Sequence, residues 1–418
     1  MSEQRDFLRD FHTMSSFGAT AGGGVDRQAG TSEDLETRSW LREVFAETGL
    51  TEVQDQIGNQ FGVAELIPGA PYLLVGSHLD SQPLAGRLDG AYGVLCAVHA
   101  VHNTLNRLRA EGKTPSMNLA VVNWFNEEGS RFTPSMMGSS VYTGKMDLSD
   151  ALATSDRNLV TVSEALQDEK VQRVDQGPEA VAYAEIHIEQ GRNLENSGNT
   201  IGLVHATWGA KKFQVTVTGE QGHTGSTLMA DRQDALYGAA LMITAAHDVT
   251  EQFDEGLLHS SVAQLSLEPN SPVTLAREVV MNLDLRSPDS TVLEQAQHYL
   301  EEQRSTIEQR ARVEIAMELT HSWDLNPYPS QGVELAREVA EGLELSHQEV
   351  MTVAGHDSTN MKDSVPTVML FVPSIEGISH NEKESTTDED MVAGAQMLSE
   401  VVYQMVTGSL ASEAQEES

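Results

Sequence analysis

Residues 211–220 read KKFQVTVTGE, 231–250 DRQDALYGAALMITAAHDVT, 260–269 SSVAQLSLEP, 277–288 REVVMNLDLRSP, 291–309 TVLEQAQHYLEEQRSTIEQ and 312–319 RVEIAMEL. Phe213, Val215 and Val217 alternate with polar neighbours, the period of a strand with one face in water. The second and fifth segments carry helical patterns and the others read as strands, giving β-α-β-β-α-β, the order of a small ferredoxin-like sandwich. An α/β pattern precedes this stretch and resumes after it. Residues 210–322 are therefore predicted to be a second domain, inserted into a first made of 1–209 and 323–408. An acidic tail, 409–418, has nothing to bury.

Working outward, 33–48 (EDLETRSWLREVFAET) predicts an amphipathic helix with Leu35, Trp40, Leu41, Val44 and Phe45 on one broad face, stopped by Gly49. Strands are expected at Tyr72–Val75, Met117–Phe125, Ala180–Ile188 and Thr367–Val372, with helices at about 90–108 and at 388–406. The fold class is α/β, a mixed sheet carrying the chemistry. Each of the four strands runs into a polar cluster: GSHLDS, NEEGSRF, HIEQG (which holds His187) and PSIEGISH. Ligands of open α/β sheets bind beyond the carboxyl ends of strands, so four such clusters can form one site.

The residue types suit a metal. His78 and Asp80 are two apart, and in extended chain they point to the same side, where the carboxylate can fix the imidazole tautomer. Alone, such a pair is as common on a surface. Asp89, in GRLDGAYG, is a turn residue unless its neighbours make it a ligand. Glu127 and Glu128 repel one another unless something positive divides them; one can ligate while the other serves as base. His187 lies in a strand too apolar to be casual surface, and His380 in a Gly/Ser-rich loop. Together these give three imidazoles and carboxylates without a thiolate, the N/O set of zinc, manganese or cobalt.

Composition bounds the rest. The 418 residues include 63 acidic against 26 basic side chains, a net charge of −37, and only seven of the bases are lysine. Such a surface repels phosphate backbones and anionic lipid heads, so neither nucleic acid nor a membrane is an expected partner. We expect a high-salt cytoplasm, where self-repulsion is screened over a few ångströms. The melting temperature should then rise with added KCl, and a maximum at low salt would overturn that source. Cys96 is the single cysteine, which leaves no intrachain disulfide. No apolar run suits a signal peptide or a bilayer span, and a cytoplasmic location is expected.

In order, GGGVDRQAGTSEDLETR, GSHLDS, GRLDGAYG, NEEGSRF, HIEQG, GHTGST, DLRSPD, AGHDS and GISH resemble the M20-type amidohydrolases across about residues 7–406. The branch is the hydantoinase/carbamoylase one: N-carbamoyl-L-amino acid hydrolase, allantoate amidohydrolase and β-ureidopropionase. The resemblance implies a metallopeptidase-like catalytic domain with an inserted lid and dimerisation domain, acting as a homodimer on a small substrate bearing a carboxylate. It implies two divalent ions per subunit (zinc, manganese, cobalt or nickel), one held by His78 and His187, the other by Glu128 and His380, with Asp89 bridging. Asp80 would orient His78. Glu127 would be the general base, taking a proton from water and passing it to the leaving nitrogen. His223, which in this family reaches the partner subunit's site, would stabilise the oxyanion, and Arg286 would clamp the substrate carboxylate. Gln190 and His356 match positions near the substrate.

Three departures stand out. Val273, in PNSPVTLARE, occupies a position where the family has a substrate-contacting asparagine, so that contact is either missing or supplied elsewhere, with Asn270 and Lys212 as candidates. GHTGST replaces an HAGTT-type run, and LMADR lacks a familiar proline. Two other readings remain: an N-acyl amino acid deacylase or dipeptidase of the same family, and a non-catalytic metal-binding dimer. The second would be marked by loss of the base or a ligand, and none is lost.

Overall fold

The structure, a computed structural model, describes residues 6–167 and 173–408. The expected tail at 409–418 lies outside the described residues. The chain divides into two compact units, Met1–His205 with Tyr328–Ser418, and Ala206–Pro327.

In the larger unit the strands lie in the order Thr51–Gln54, Gln60–Ala64, Asn118–Trp124, Tyr72–His78, Ala180–Ile188, Thr367–Val372 and Ile201–Thr207, and His347–Thr352 also pairs with the last. Asn118–Trp124, Tyr72–His78, Ala180–Ile188 and Thr367–Val372 are successive neighbours and run parallel. Thr51–Gln54 pairs antiparallel with Gln60–Ala64, as do Gln60–Ala64 with Asn118–Trp124 and Thr367–Val372 with Ile201–Thr207, so the sheet is mixed. Parallel strands need covering on both faces, which explains runs such as LLV rather than alternation. Leu73 and Val75 enter one apolar cluster while Leu74 enters another. The first cluster is filled by Val94, Leu95, Val98 and Val101 from the helix Ala91–Glu111, and by Leu398, Val401, Val402 and Met405 from Asp388–Val406.

Because the four central strands are adjacent and parallel, their carboxyl ends open at one edge, and four polar clusters follow there. One glycine is decisive. Gly90 starts the Ala91–Glu111 helix with φ +65°, and a Cβ on it would sit 2.3 Å from the His78 ring. Only glycine lets the helix begin that close to an imidazole.

The smaller unit has four antiparallel strands in the order Glu314–Trp323, Gly209–Thr218, Glu278–Ser287 and His259–Glu268, the order of a ferredoxin-like sandwich. Phe213, Val215 and Val217 join Val279, Met281 and Leu283 against the helices Ala235–Asp248 and Ser290–Ala311. A further ladder of two residues per strand, Gly222–His223 with Thr274–Leu275, was not legible, being too short to carry a periodicity. Among the described residues no helix is long and apolar enough to cross a membrane.

Candidate metal centre

Two groups of three ligand atoms gather at the open edge of the large sheet: His78, Asp89 and His187, all buried, and Asp89, Glu128 and His380, more open to solvent. Asp89 belongs to both. Its Oδ1 lies 3.0 Å from His187 Nε2 and 3.7 Å from His78 Nε2, and its Oδ2 lies 3.2 Å from His380 Nε2. His380 Nε2 is 3.4 Å from Glu128 Oε2. Ligands at about 2.0–2.1 Å from a tetrahedral ion are roughly 3.3 Å apart. The donor spacings are those of coordination edges, so the residues fit divalent ions.

The tautomers agree. His78 Nδ1 donates to the Asp80 carbonyl at 2.9 Å, and His187 Nδ1 donates to the Ile188 carbonyl at 2.9 Å. In the neutral form that an ion would need, each proton therefore sits on Nδ1 and the Nε2 lone pair turns toward Asp89. Gly90 N–H donates to the His187 lone pair at 2.9 Å.

Here the sequence expectation for Asp80 needs correction. Its backbone carbonyl steadies His78, while its carboxylate stands 3.6 Å from that ring. The carboxylate accepts instead from the N–H groups of Glu127 and Glu128, at 3.1 and 3.3 Å. Two backbone donors converging on one anion outcompete a ring whose only donor is already engaged. Asp80 therefore sets the turn that presents both glutamates.

Glu127, 7 % exposed, comes within 3.5 Å of His78 Nε2 through Oε2. Burial, then the charges of Asp357, Glu128, Asp80 and Asp89, push its carboxyl well above the usual range. Burial and Asp89 raise Glu128 to about 8. Burial also pushes Asp89 upward, but the bonds to His187 and His380 outweigh it and hold Asp89 well below its ordinary value. Burial lowers His78 to about 4. His187 rises to about 9 because Asp89 outweighs its burial, and the Asp89 bond likewise raises His380 to about 9. The loops store strain: Asn126, Gln190 and His380 all have φ between 53° and 57°, left-handed values for non-glycine residues.

Gln190 donates from Nε2 to Asp89 Oδ2 at 3.0 Å and to Ser379 Oγ at 2.9 Å, while its buried Oε1 has no hydrogen-bond partner among the described residues. His356 is 3 % exposed and packs its ring 4.5 Å from that of His187. The sequence reading missed Gln82, whose amide nitrogen donates to Glu128 Oε2 at 2.9 Å. It also missed Glu384, which accepts from the N–H of Leu88 and of Asp89. A glutamine two residues after HLD and a glutamate in an acidic loop offer no composition signal.

His223, Lys212 and Arg286 lie in the smaller unit. His223 is exposed, and its Nδ1 accepts from the N–H groups of Gly225 and Ser226, at 2.9 and 3.2 Å. That leaves the proton on Nε2, as an outward donor. Arg286 directs Nε and Nη2 at Asp284 Oδ2, 3.1 and 2.7 Å away, so this face of the fork is already engaged. Lys212 Nζ is 3.9 Å from the same oxygen and 5.6 Å from the Trp323 ring centroid. Burial lowers the Lys212 pKa, against the pull of Asp284. Val273 is 59 % exposed.

A mixed α/β sheet that ends its parallel strands in histidine–carboxylate trios, with a buried carboxylate beside them, defines a metal-dependent hydrolase. The chain belongs to the Peptidase family M20/M25/M40, which residues 74–404 match. It is 34 % identical to an N-carbamoyl-L-amino-acid amidohydrolase of Rhizobium meliloti, over 94 % of each chain. It is 30 % identical to the allantoate amidohydrolase of Escherichia coli (strain K12), over 94 % of this chain and 95 % of that one. The crystal structure of a hydantoinase/carbamoylase family amidase from Burkholderia vietnamiensis matches with a TM-score of 0.89 and 32 % identity, covering 97 % of this chain and 98 % of that one.

Metal binding should release protons. The raised values of His187, His380 and Glu128 mean that near pH 7 the metal-free site holds protons where an ion needs lone pairs. Acid restores that competition, so affinity should climb from pH 6 to pH 9. Calorimetric titration with Zn2+ in buffers of different ionisation enthalpy tests this; identical heats in every buffer would refute it.

Proposed function

We propose that the protein hydrolyses a linear C–N bond of a small ureido acid, an N-carbamoyl-L-amino acid or a close relative, with two divalent ions per subunit. The observation that carries this reading is the pair of donor trios sharing Asp89, with the buried Glu127 carboxylate next to them. The names of the Rhizobium meliloti and Escherichia coli relatives support the same bond type. Bound ions supply electrophilic polarisation of a carbonyl and acidify water. Zinc, manganese, cobalt and nickel all suit this donor set.

Glu127 takes a proton from the attacking water and delivers it to the leaving nitrogen as the C–N bond breaks and a C–O bond forms. His223 Nε2–H opposes the charge developing on the carbonyl oxygen. Gln190 Oε1, the orphaned acceptor, receives a ureido N–H, since a buried acceptor without a partner is costly. Arg286 holds the substrate carboxylate, Asp284 pre-aligns its guanidinium, and Lys212 adds a second positive charge. His356 packs its ring against that of His187.

The same reading includes a homodimer. The His259–Glu268 strand is a sheet edge, and Leu236, Tyr237 and Ile243 are exposed on the helix Ala235–Asp248, so the smaller unit offers both unpaired backbone and apolar area.

The test is a panel of N-carbamoyl amino acids, N-acetyl amino acids and dipeptides, assayed with added Mn2+ or Zn2+ in several-molar KCl. Preference for the N-carbamoyl set is expected. Preference for N-acetyl compounds or dipeptides would move the protein to the deacylase or peptidase side of the family, and no turnover at all would favour a binding role. Arg286→Met should raise KM by roughly 10- to 100-fold, the worth of a charge-assisted bond at about 1.5–3 kcal/mol, and change kcat far less. Equal KM values for the variant and the wild type would remove Arg286 from the substrate.

A further inference from the structure

Among the described residues the roles above leave several buried carboxylates without a task, and Glu384 is the one that bonds the backbone of Asp89. Glu384, four residues beyond His380, is 4 % exposed. Its Oε1 accepts from the N–H of Leu88 and of Asp89, each at 3.0 Å, and its Oε2 accepts from the Ser379 hydroxyl at 3.0 Å. Room for it is built in: a Cβ on Gly86 would lie 2.0 Å from Glu384 Oε1. Ser379 Oγ is also 3.2 Å from Asp89 Oδ2, and Gln190 Nε2 donates to both of those oxygens.

The proton inventory gives this cluster a direction. All three groups that meet Glu384 are donors, and an ionised carboxylate is a pure acceptor. A hydroxyl has one proton, so when Ser379 gives it to Glu384 its oxygen is left to accept from Gln190. Glu384 thus joins two ligand-bearing loops almost 300 residues apart in sequence. One carries Asp89 on a backbone held by Oε1. The other carries His380 directly after the serine held by Oε2. The remaining imidazoles have separate anchors, since His78 and His187 are fixed by the carbonyls of Asp80 and Ile188.

We propose that Glu384 is a positioning residue of the metal centre: it fixes the Asp89 carboxylate relative to His380, and so sets the affinity of the position formed by Asp89, Glu128 and His380. This rests on the reading of the site as a two-ion centre. The position formed by His78, Asp89 and His187 depends on it less.

The experiment is a titration of metal-free wild type, Glu384→Ala, Glu384→Gln and Ser379→Ala with Co2+ alone, without substrate. Visible absorption and bound stoichiometry are the readouts, and melting temperature is followed alongside. Glu384→Ala should weaken the second, weaker Co2+ by roughly 10- to 100-fold, the usual cost of losing a partner that orients a ligand, and alter the first far less. Glu384→Gln should recover most of the loss, because its carbonyl oxygen still receives both backbone N–H groups while Ser379 turns its proton to Asp89. Ser379→Ala should fall between them. With Co2+ loaded, kcat for a turned-over substrate should drop in the same order at constant KM.

Both Co2+ affinities within twofold of wild type in Glu384→Ala would overturn the proposal, as would a glutamine variant as damaged as the alanine one. If Glu384→Ala does not fold, the proposal is overturned by unchanged affinity for the weaker ion in Ser379→Ala together with a glutamine variant that has lost it. A wild type that takes up only one Co2+ also overturns it. A wild type that binds two ions but turns over no ureido acid sinks the proposed function and leaves the positioning role standing.

Discussion

Glu127→Gln is expected to lower kcat by roughly 10²- to 10⁴-fold, the usual contribution of a positioned general base, while both ions stay bound. The amide keeps the shape of the side chain and the backbone bond to Asp80 but cannot receive a proton. Glu127 stands among Asp357, Glu128, Asp80 and Asp89, and burial with those charges raises its pKa far above the ordinary value. That holds without ions; bound cations would lower the value again, until the carboxylate can take a proton from water and release it to a departing amine. The same surroundings predict a change in stability. A carboxyl whose pKa is raised on folding stabilises the fold below its unfolded value and loses that contribution as pH rises through the folded value. Glutamine never ionises, so metal-free Glu127→Gln should melt higher than metal-free wild type at alkaline pH. Turnover within tenfold of wild type would remove Glu127 from the chemistry, and loss of metal in the variant would make it a ligand.

Asp89→Asn should damage both ion positions together, which no other single ligand change can do. Asp89 alone contributes to both trios, with one oxygen facing His78 and His187 and the other facing His380. An amide replaces one of those oxygens with a donor directed at a cation or an imidazole. We expect ion content to fall from two per chain to one at most, and kcat/KM to fall by more than about 10³-fold, beyond the cost of a lost orienting partner. The fold should survive, because the backbone N–H of residue 89 keeps its bond to Glu384 whatever the side chain. Elemental analysis together with circular dichroism decides the matter: a folded Asp89→Asn protein with two tightly held ions would refute the bridging role.

Much of this architecture was legible because burial on both faces leaves a plain signature. The runs LLV, NLAVVNW and TVMLFV can only be covered strands, and each is followed by a polar cluster that must sit at a strand end. The gathering of His78, Asp89, Glu128, His187 and His380 was readable from the motifs as a set, although each residue alone suits a surface turn or a core equally well. What escaped the sequence was the assignment of atoms. It does not say that Asp80 gives its carbonyl to an imidazole and its carboxylate to two N–H groups. Nor does it mark Glu384, one of 63 acidic residues, as different from the exposed ones around it. Asp284 was within reach: two residues before Arg286 on the same strand, it shares a face with it.

The two donor trios differ in depth. His78 and His187 are each 1 % exposed, whereas half of the His380 side chain is open to water. On the proposed two-ion reading, an ion on the inner pair would leave only when the sheet edge loosens, while its neighbour would exchange through a swing of one ring. Dialysis against a chelator should therefore empty the centre in two stages, with a half-loaded species between them.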